Sequence, residues 1–124
     1  MFIVRIKWYV RPEKEFEFTQ TLLSMIEPTK REPGCLSYAV FSNLEDSHCY
    51  NLLAEWKTRK DLSRHLETTR FGVLLGLKSL LAEPSHIRIY SIKVTEGIEL
   101  VKQIREKRQA AAKSRKIFND MDKQ

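Results

Sequence analysis

A chain of 124 residues carrying a net charge of +6 is sized for one domain. Its 42% hydrophobic and 31% charged residues are the mix of a globular protein with a real core. No apolar run approaches the ~20 residues that span a bilayer as a helix, so no membrane-spanning helix and no membrane partner are expected.

Met1 to Val10 alternates, with Phe2, Val4, Ile6, Trp8 and Val10 on one side and Ile3, Arg5, Lys7 and Tyr9 on the other. That period of two predicts a strand with a strongly apolar face. Arg5 and Lys7 also make it unlike a secretory leader, and a cytoplasmic location is expected. Pro12 suits the first turn of a helix, and Glu13, Glu15 and Glu17 favour its positive end. Phe16, Leu22, Leu23 and Ile26 are the expected apolar stripe of that helix. Pro28 and the polar run from Thr29 to Glu32 are expected to end it, and Pro33-Gly34 to make a turn.

Cys35 to Asn43 reads as the second strand, with Leu36, Tyr38 and Val40 on one face and Ala39 and Phe41 on the other. Leu44 to His48 is a polar loop. Cys49 to Lys57 is the third strand, with Tyr50, Leu52, Ala54 and Trp56 on one face. The short loop predicts a hairpin. The two cysteines then lie at opposite ends, well over ~15 Å apart, and are expected as free thiols. Thr58 and Asp61 form a capping box, and Leu62, His65 and Leu66 share a helical face. Thr68-Thr69 interrupts that helix. Arg70 to Leu81 resumes it, with Phe71, Leu74, Leu77, Leu80 and Leu81 inward. Pro84 stops it, and Ile87 to Val94 gives a fourth strand. A final helix starts at Ile98, Val101 and Ile104 and runs to about Phe118.

The order β-α-β-β-α-β is the α+β, ferredoxin-like split βαβ arrangement, a four-stranded antiparallel sheet with both helices on one face. The domain is expected over residues 1–94, with a basic helical extension over 95–124. Lys102, Arg105, Lys107, Arg108, Lys113, Arg115 and Lys116, against Glu106 alone, account for the whole net charge, so the rest of the chain is neutral. Apolar residues on both faces of the sheet predict a homodimer whose sheets meet.

His65 is the most chemically capable residue on an apolar face. It can transfer a proton or bond a bound ring, or it can be a half-buried histidine donating to a backbone carbonyl. Trp56 can wall a planar ligand or simply fill the core. Trp8, Tyr38 and Tyr50 read the same two ways. Arg70, beside Phe71 at the helix break, can hold an anionic or phenolic oxygen or lie exposed. No Ser-His-Asp spacing, glycine-rich phosphate loop or metal-ligand spacing is present, so no metal site is expected.

Arg11-Pro12, Pro33-Gly34-Cys35-Leu36-Ser37-Tyr38, Glu55-Trp56, Asp61-Leu62, His65-Leu66 and Arg70-Phe71, in that order and spacing, resemble the antibiotic biosynthesis monooxygenase family. The resemblance covers residues 1–94. It implies a ferredoxin-like dimer in which each subunit keeps a pocket between its sheet and helices. It also implies oxidation of a small phenolic or quinol-like substrate by dioxygen without a cofactor, the deprotonated substrate giving the electron to oxygen. His65 and Trp56 are the implied catalytic residues, with Trp8, Tyr38, Tyr50, Arg70 and Phe71 binding substrate. The haem-degrading branch needs an Asn on the first strand, which this chain lacks, so haem turnover is not expected. Two other readings stand beside it: a noncatalytic dimeric ligand-binding or stress-response module, and an acidic-partner or nucleic-acid binder through the basic tail. The tail lacks interleaved aromatics for stacking on single strands, so nucleic acid is the weaker partner.

Overall fold

Strict alternation from Phe2 to Tyr9 makes strand β1, whose Val4, Ile6 and Trp8 are buried. A computed structural model describes residues 1–122. The elements that follow are a 3₁₀ turn at Pro12–Lys14, α1 (Glu15–Lys30), β2 (Cys35–Ser42), β3 (Cys49–Trp56), α2 (Arg59–Leu66), α3 (Thr69–Leu75), a second 3₁₀ turn at Gly76–Leu80, β4 (His86–Ser91) and α4 (Ile98–Asp122).

The sheet is antiparallel throughout, in the order β2-β3-β1-β4. This is the ferredoxin-like arrangement. The core lies between one sheet face and α1, α2 and α3. Val4, Ile6, Trp8, Tyr38, Leu52, Ala54 and Trp56 meet Phe18, Leu22, Met25, Leu62, Phe71 and Leu74 there. The chain divides into two compact units, Met1–Lys93 and the stretch from Val94 that contains α4. Nearly every described side chain of α4 is exposed.

Three local expectations are corrected. The buried stripe of α1 is Phe18, Leu22, Met25 and Thr29, whereas Phe16 and Leu23 are exposed. Only Leu22 is common to both stripes, with Ile26 half-buried beside it; the phase is set by Phe18, which packs edge-on against Trp8 at 5.4 Å. Pro28 does not end α1. It lies inside the helix, which runs to Lys30; Ser24, whose carbonyl loses the Pro28 partner, is exposed and open to water. Leu36 is not inward. The pairing runs Cys35↔Trp56 and then Ser37↔Glu55, so Leu36 is the extra residue of a bulge and lies exposed. Beyond it Tyr38 returns to the buried face.

The turn before that bulge needs its glycine. Gly34 has φ +77°, and a Cβ there would collide with the Asp61 carboxylate at the start of α2. The Gly34 carbonyl accepts from Lys57 N–H at 2.8 Å. The turn is thereby hydrogen-bonded to the chain just after β3 and packed closely against the start of α2.

The other sheet face mixes charged and apolar residues. On β2 and β3 it presents Ala39, Phe41 and Leu53 beside Ser37 and Glu55. On β1 and β4 it presents Arg5, Lys7, His86 and Arg88 interleaved with Ile3, Tyr9 and Tyr90. Among the described residues no helix is long and apolar enough to cross a membrane. Cys35 and Cys49 are both free thiols.

Candidate active site

The site is assembled by two capped helices. Thr58 Oγ1 accepts from Asp61 N–H and starts α2; Thr68 Oγ1 accepts from Phe71 N–H and starts α3. Between them the chain breaks at Glu67 and Thr68. The break sets Arg70 and Phe71, from the first turn of α3, beside His65 on α2.

His65 is only 3% exposed. Its ring stacks on Trp56 with centroids 4.4 Å apart and planes 24° off parallel. Phe71 meets it edge-on at 5.3 Å and Tyr38 at 6.4 Å. Nδ1 lies 3.0 Å from Glu32 Oε1. Arg70 donates to Glu32 Oε2 at 2.7 Å. A carboxylate paired with a guanidinium accepts only, so the proton is assigned to Nδ1 and the lone pair to Nε2. Burial pulls the His65 pKa below its ordinary value, and the Glu32 hydrogen bond offsets part of that fall. The imidazole is therefore neutral at pH 7 and able to take a proton. Burial pushes the Tyr38 phenol up to about 12, so it stays a hydroxyl. Trp56 Nε1 is buried and finds no hydrogen-bond partner among the described residues.

Five of the seven residues singled out from the sequence converge here: Trp56, His65, Tyr38, Arg70 and Phe71. Trp8 and Tyr50 do not. They face each other across β1 and β3, six residues along β3 from Trp56, roughly 20 Å at strand rise. There Phe18 touches both rings at 5.4 Å. The Tyr50 hydroxyl donates to Glu15 Oε1, and His48 Nδ1 lies 3.3 Å from Glu15 Oε2. Burial, helped by Glu15, lifts the Tyr50 phenol to about 12. Beside this cluster an open cavity of about 260 Å³ runs between α1 and β2, lined by Leu22, Ile26, Val40, Phe41 and Tyr50.

Glu32 is the functional residue the sequence reading missed. It sits in the polar run after α1, where a carboxylate looks like surface. One signal was available: a histidine on an apolar helical face needs a buried polar partner, and Glu32 is the carboxylate directly before the Pro33-Gly34 turn.

A family model described as antibiotic biosynthesis monooxygenase matches residues 1–74. The chain belongs to this family. An uncharacterized Synechocystis protein, sll1783, is 33% identical over 90 residues, covering 72% of this chain and 61% of that protein. The chain thus spans about three fifths of the length of that relative. A Bacillus subtilis protein, YcnE, whose name carries a provisional monooxygenase assignment, is 28% identical over 85 residues, 68% of this chain and 90% of its own. Among solved structures, a conserved protein of Methanosarcina mazei Go1 superposes with a TM-score of 0.69 at 34% identity, covering 74% of this chain and 92% of that one. The family assignment and the Glu32–His65–Trp56 group rest on separate observations, the first on sequence similarity and the second on geometry.

Proposed function

We propose that this chain is a cofactor-independent monooxygenase of a small phenolic or quinol-like substrate, with His65 as the general base. The observation that carries this reading is the Glu32–His65 hydrogen bond inside a cage of three rings. Glu32 fixes the tautomer that leaves Nε2 free and would stabilise the imidazolium once the substrate proton arrives. The resulting phenolate, held away from water by Trp56, Tyr38 and Phe71, gives an electron to dioxygen. Arg70 is a positioning residue, since it reaches the ring only through Glu32. Substrate entry needs the cage to open, and α3, joined to α2 by the break at Glu67 and Thr68, carries Arg70 and Phe71 together. The dimer we propose meets through the apolar part of the open sheet face, Ala39, Phe41 and Leu53.

The test is oxygen uptake with a panel of hydroquinones and naphthols, without added flavin or metal. His65→Ala is expected to lose roughly 10² to 10⁴ in rate, the usual contribution of a positioned base, while remaining folded. An unchanged rate removes His65 from the reaction. A second reading, a noncatalytic ligand-binding module, is favoured by the burial of His65 among side chains. It gains if the wild type consumes no oxygen with any of the panel.

A further inference from the structure

The stretch of α4 from Lys102 to Lys116 holds seven cations against Glu106 alone, and no side chain of α4 belongs to the core around His65. From Val101 to Met121 every side chain is exposed. Among the described residues Lys102 reaches Glu99 at 3.5 Å. Arg105, Lys107, Arg108, Lys113, Arg115 and Lys116 take part in no ion pair there. Successive residues of an α-helix stand about 100° apart around the axis. Six of the cations, all but Lys107, then fall within one arc of about 160°. Arg108 and Arg115 form one border of that arc, and Lys102 and Lys113 form the other. Val101, Arg105, Gln109, Ala112 and Lys116 lie between. Glu99 and Glu106 fall outside the arc, and Asp120 lines up with it only beyond Lys116. Leu100, Ala111 and Phe118 also fall outside it.

We propose that this face of α4 binds double-stranded DNA by lying in the major groove. A helix with its side chains is about 10–12 Å across, and the groove of B-form DNA is about 12 Å wide. A helix in that groove has a row of phosphates on each side and base edges in front. The two borders of the arc match the two rows. Arg108 and Arg115 suit bidentate phosphate contacts, and the two lysines supply compact charges. Arg105 and Gln109, between the borders, are the side-chain types that pair with guanine and adenine edges. The lack of interleaved aromatics bears on single strands, whose bases stack; a duplex is held through its phosphates. A second copy of α4 does not suit this face, since it would set like charges against each other. A lipid surface needs apolar side chains in the middle of the face it meets, where α4 has Arg105, Gln109 and Lys116.

The full chain would be titrated with a fluorescent DNA duplex of about 20 base pairs, by anisotropy, between about 50 and 200 mM salt. Saturable binding on the order of micromolar is expected at low salt. Log K should fall against log salt with a slope of about −5 per bound helix, ~0.9 for each of the six cations in the arc. Lys113→Gln and, on the other border, Arg108→Gln should each weaken binding severalfold and reduce the slope by about 1. Lys107→Gln makes the same charge change outside the arc and should alter neither. Circular dichroism of each variant checks that α4 remains helical. Amide shifts should be confined to residues 101–118. An RNA duplex of the same length should bind more weakly, because its major groove is too narrow for the helix. The proposal is overturned by absent binding at low salt, by equal effects of Lys113→Gln and Lys107→Gln, or by shifts confined to residues 1–93. It is equally overturned by RNA bound as tightly as DNA, by tighter binding to phosphatidylserine vesicles, or by equal competition from poly-L-glutamate, which would make the partner an acidic protein.

Discussion

Replacing Glu32 by Gln isolates the contact on which the site depends. The substitution preserves shape but removes a carboxylate that accepts from His65 on one oxygen and from Arg70 on the other. A hydrogen bond to a charged group contributes about 1.5–3 kcal/mol. The Arg70 side chain is one third exposed, so its share is discounted for solvent screening. The expected loss is about 2–3 kcal/mol. At roughly 4 °C per kcal/mol for a domain of this size, Tm should fall by about 10 °C. The titration of His65 gives a second, independent readout. Burial lowers its pKa while Glu32 raises it, so Glu32→Gln should lower it further. A histidine whose folded pKa lies below its unfolded value of ~6.5 costs stability as pH falls from that value toward the folded one. The variant should therefore lose Tm more steeply than wild type below pH ~6.5. Thermal melts across pH and imidazole proton shifts measure both effects. A Tm within about 2 °C of wild type, together with a His65 pKa that stays or rises, would refute the argument.

Trp56→Ala should cost about 3–5 kcal/mol in urea unfolding. Trp56→Phe should cost clearly less, because it keeps a ring stacked in the place of the indole; equal losses would show that ring packing against His65 contributes nothing. Gly34→Ala should lose about 2–3 kcal/mol, from the left-handed backbone and the collision with Asp61, and an unaltered melt would contradict that packing. Leu53→Arg should give a monomer by light scattering where the wild type is a dimer at micromolar concentration. A monomeric wild type would dismiss the proposed dimer.

The strands were legible because a period of two leaves little choice of face. Val4, Ile6, Trp8, Leu52, Ala54 and Trp56 lie where alternation puts them. The helix of His65 was legible through its Thr58 cap and the spacing of Leu62 and His65. Leu36 was not, since a bulge inserts one residue without any change in composition and moves it to the other side. The phase of α1 failed for a related reason: Phe16, Phe18, Leu22, Leu23 and Ile26 offer two overlapping stripes, and only the tertiary contact with Trp8 selects between them. For the site, residue type found the aromatics and the imidazole. It could not tell that Trp8 pairs with Tyr50 and so lies far from Trp56, nor that Glu32 supplies the carboxylate, because both facts depend on how distant segments are brought together.

The order β2-β3-β1-β4 also has a kinetic consequence. β1 is the earliest strand in the chain, yet it is the one flanked on both sides, by β3 at residues 49–56 and by β4 at residues 86–91. Only β2 and β3 can pair locally. During synthesis the apolar row of Val4, Ile6 and Trp8 must wait for its first neighbour until Cys49 to Trp56 has emerged, and for its second until Ser91 has. Loop closure over such separations slows folding, and an unpaired apolar strand is the segment most open to wrong partners in the interval. Closing the sheet around β1 is therefore the step at which this chain is most exposed to misassembly, and the β2–β3 hairpin is the template on which that step depends.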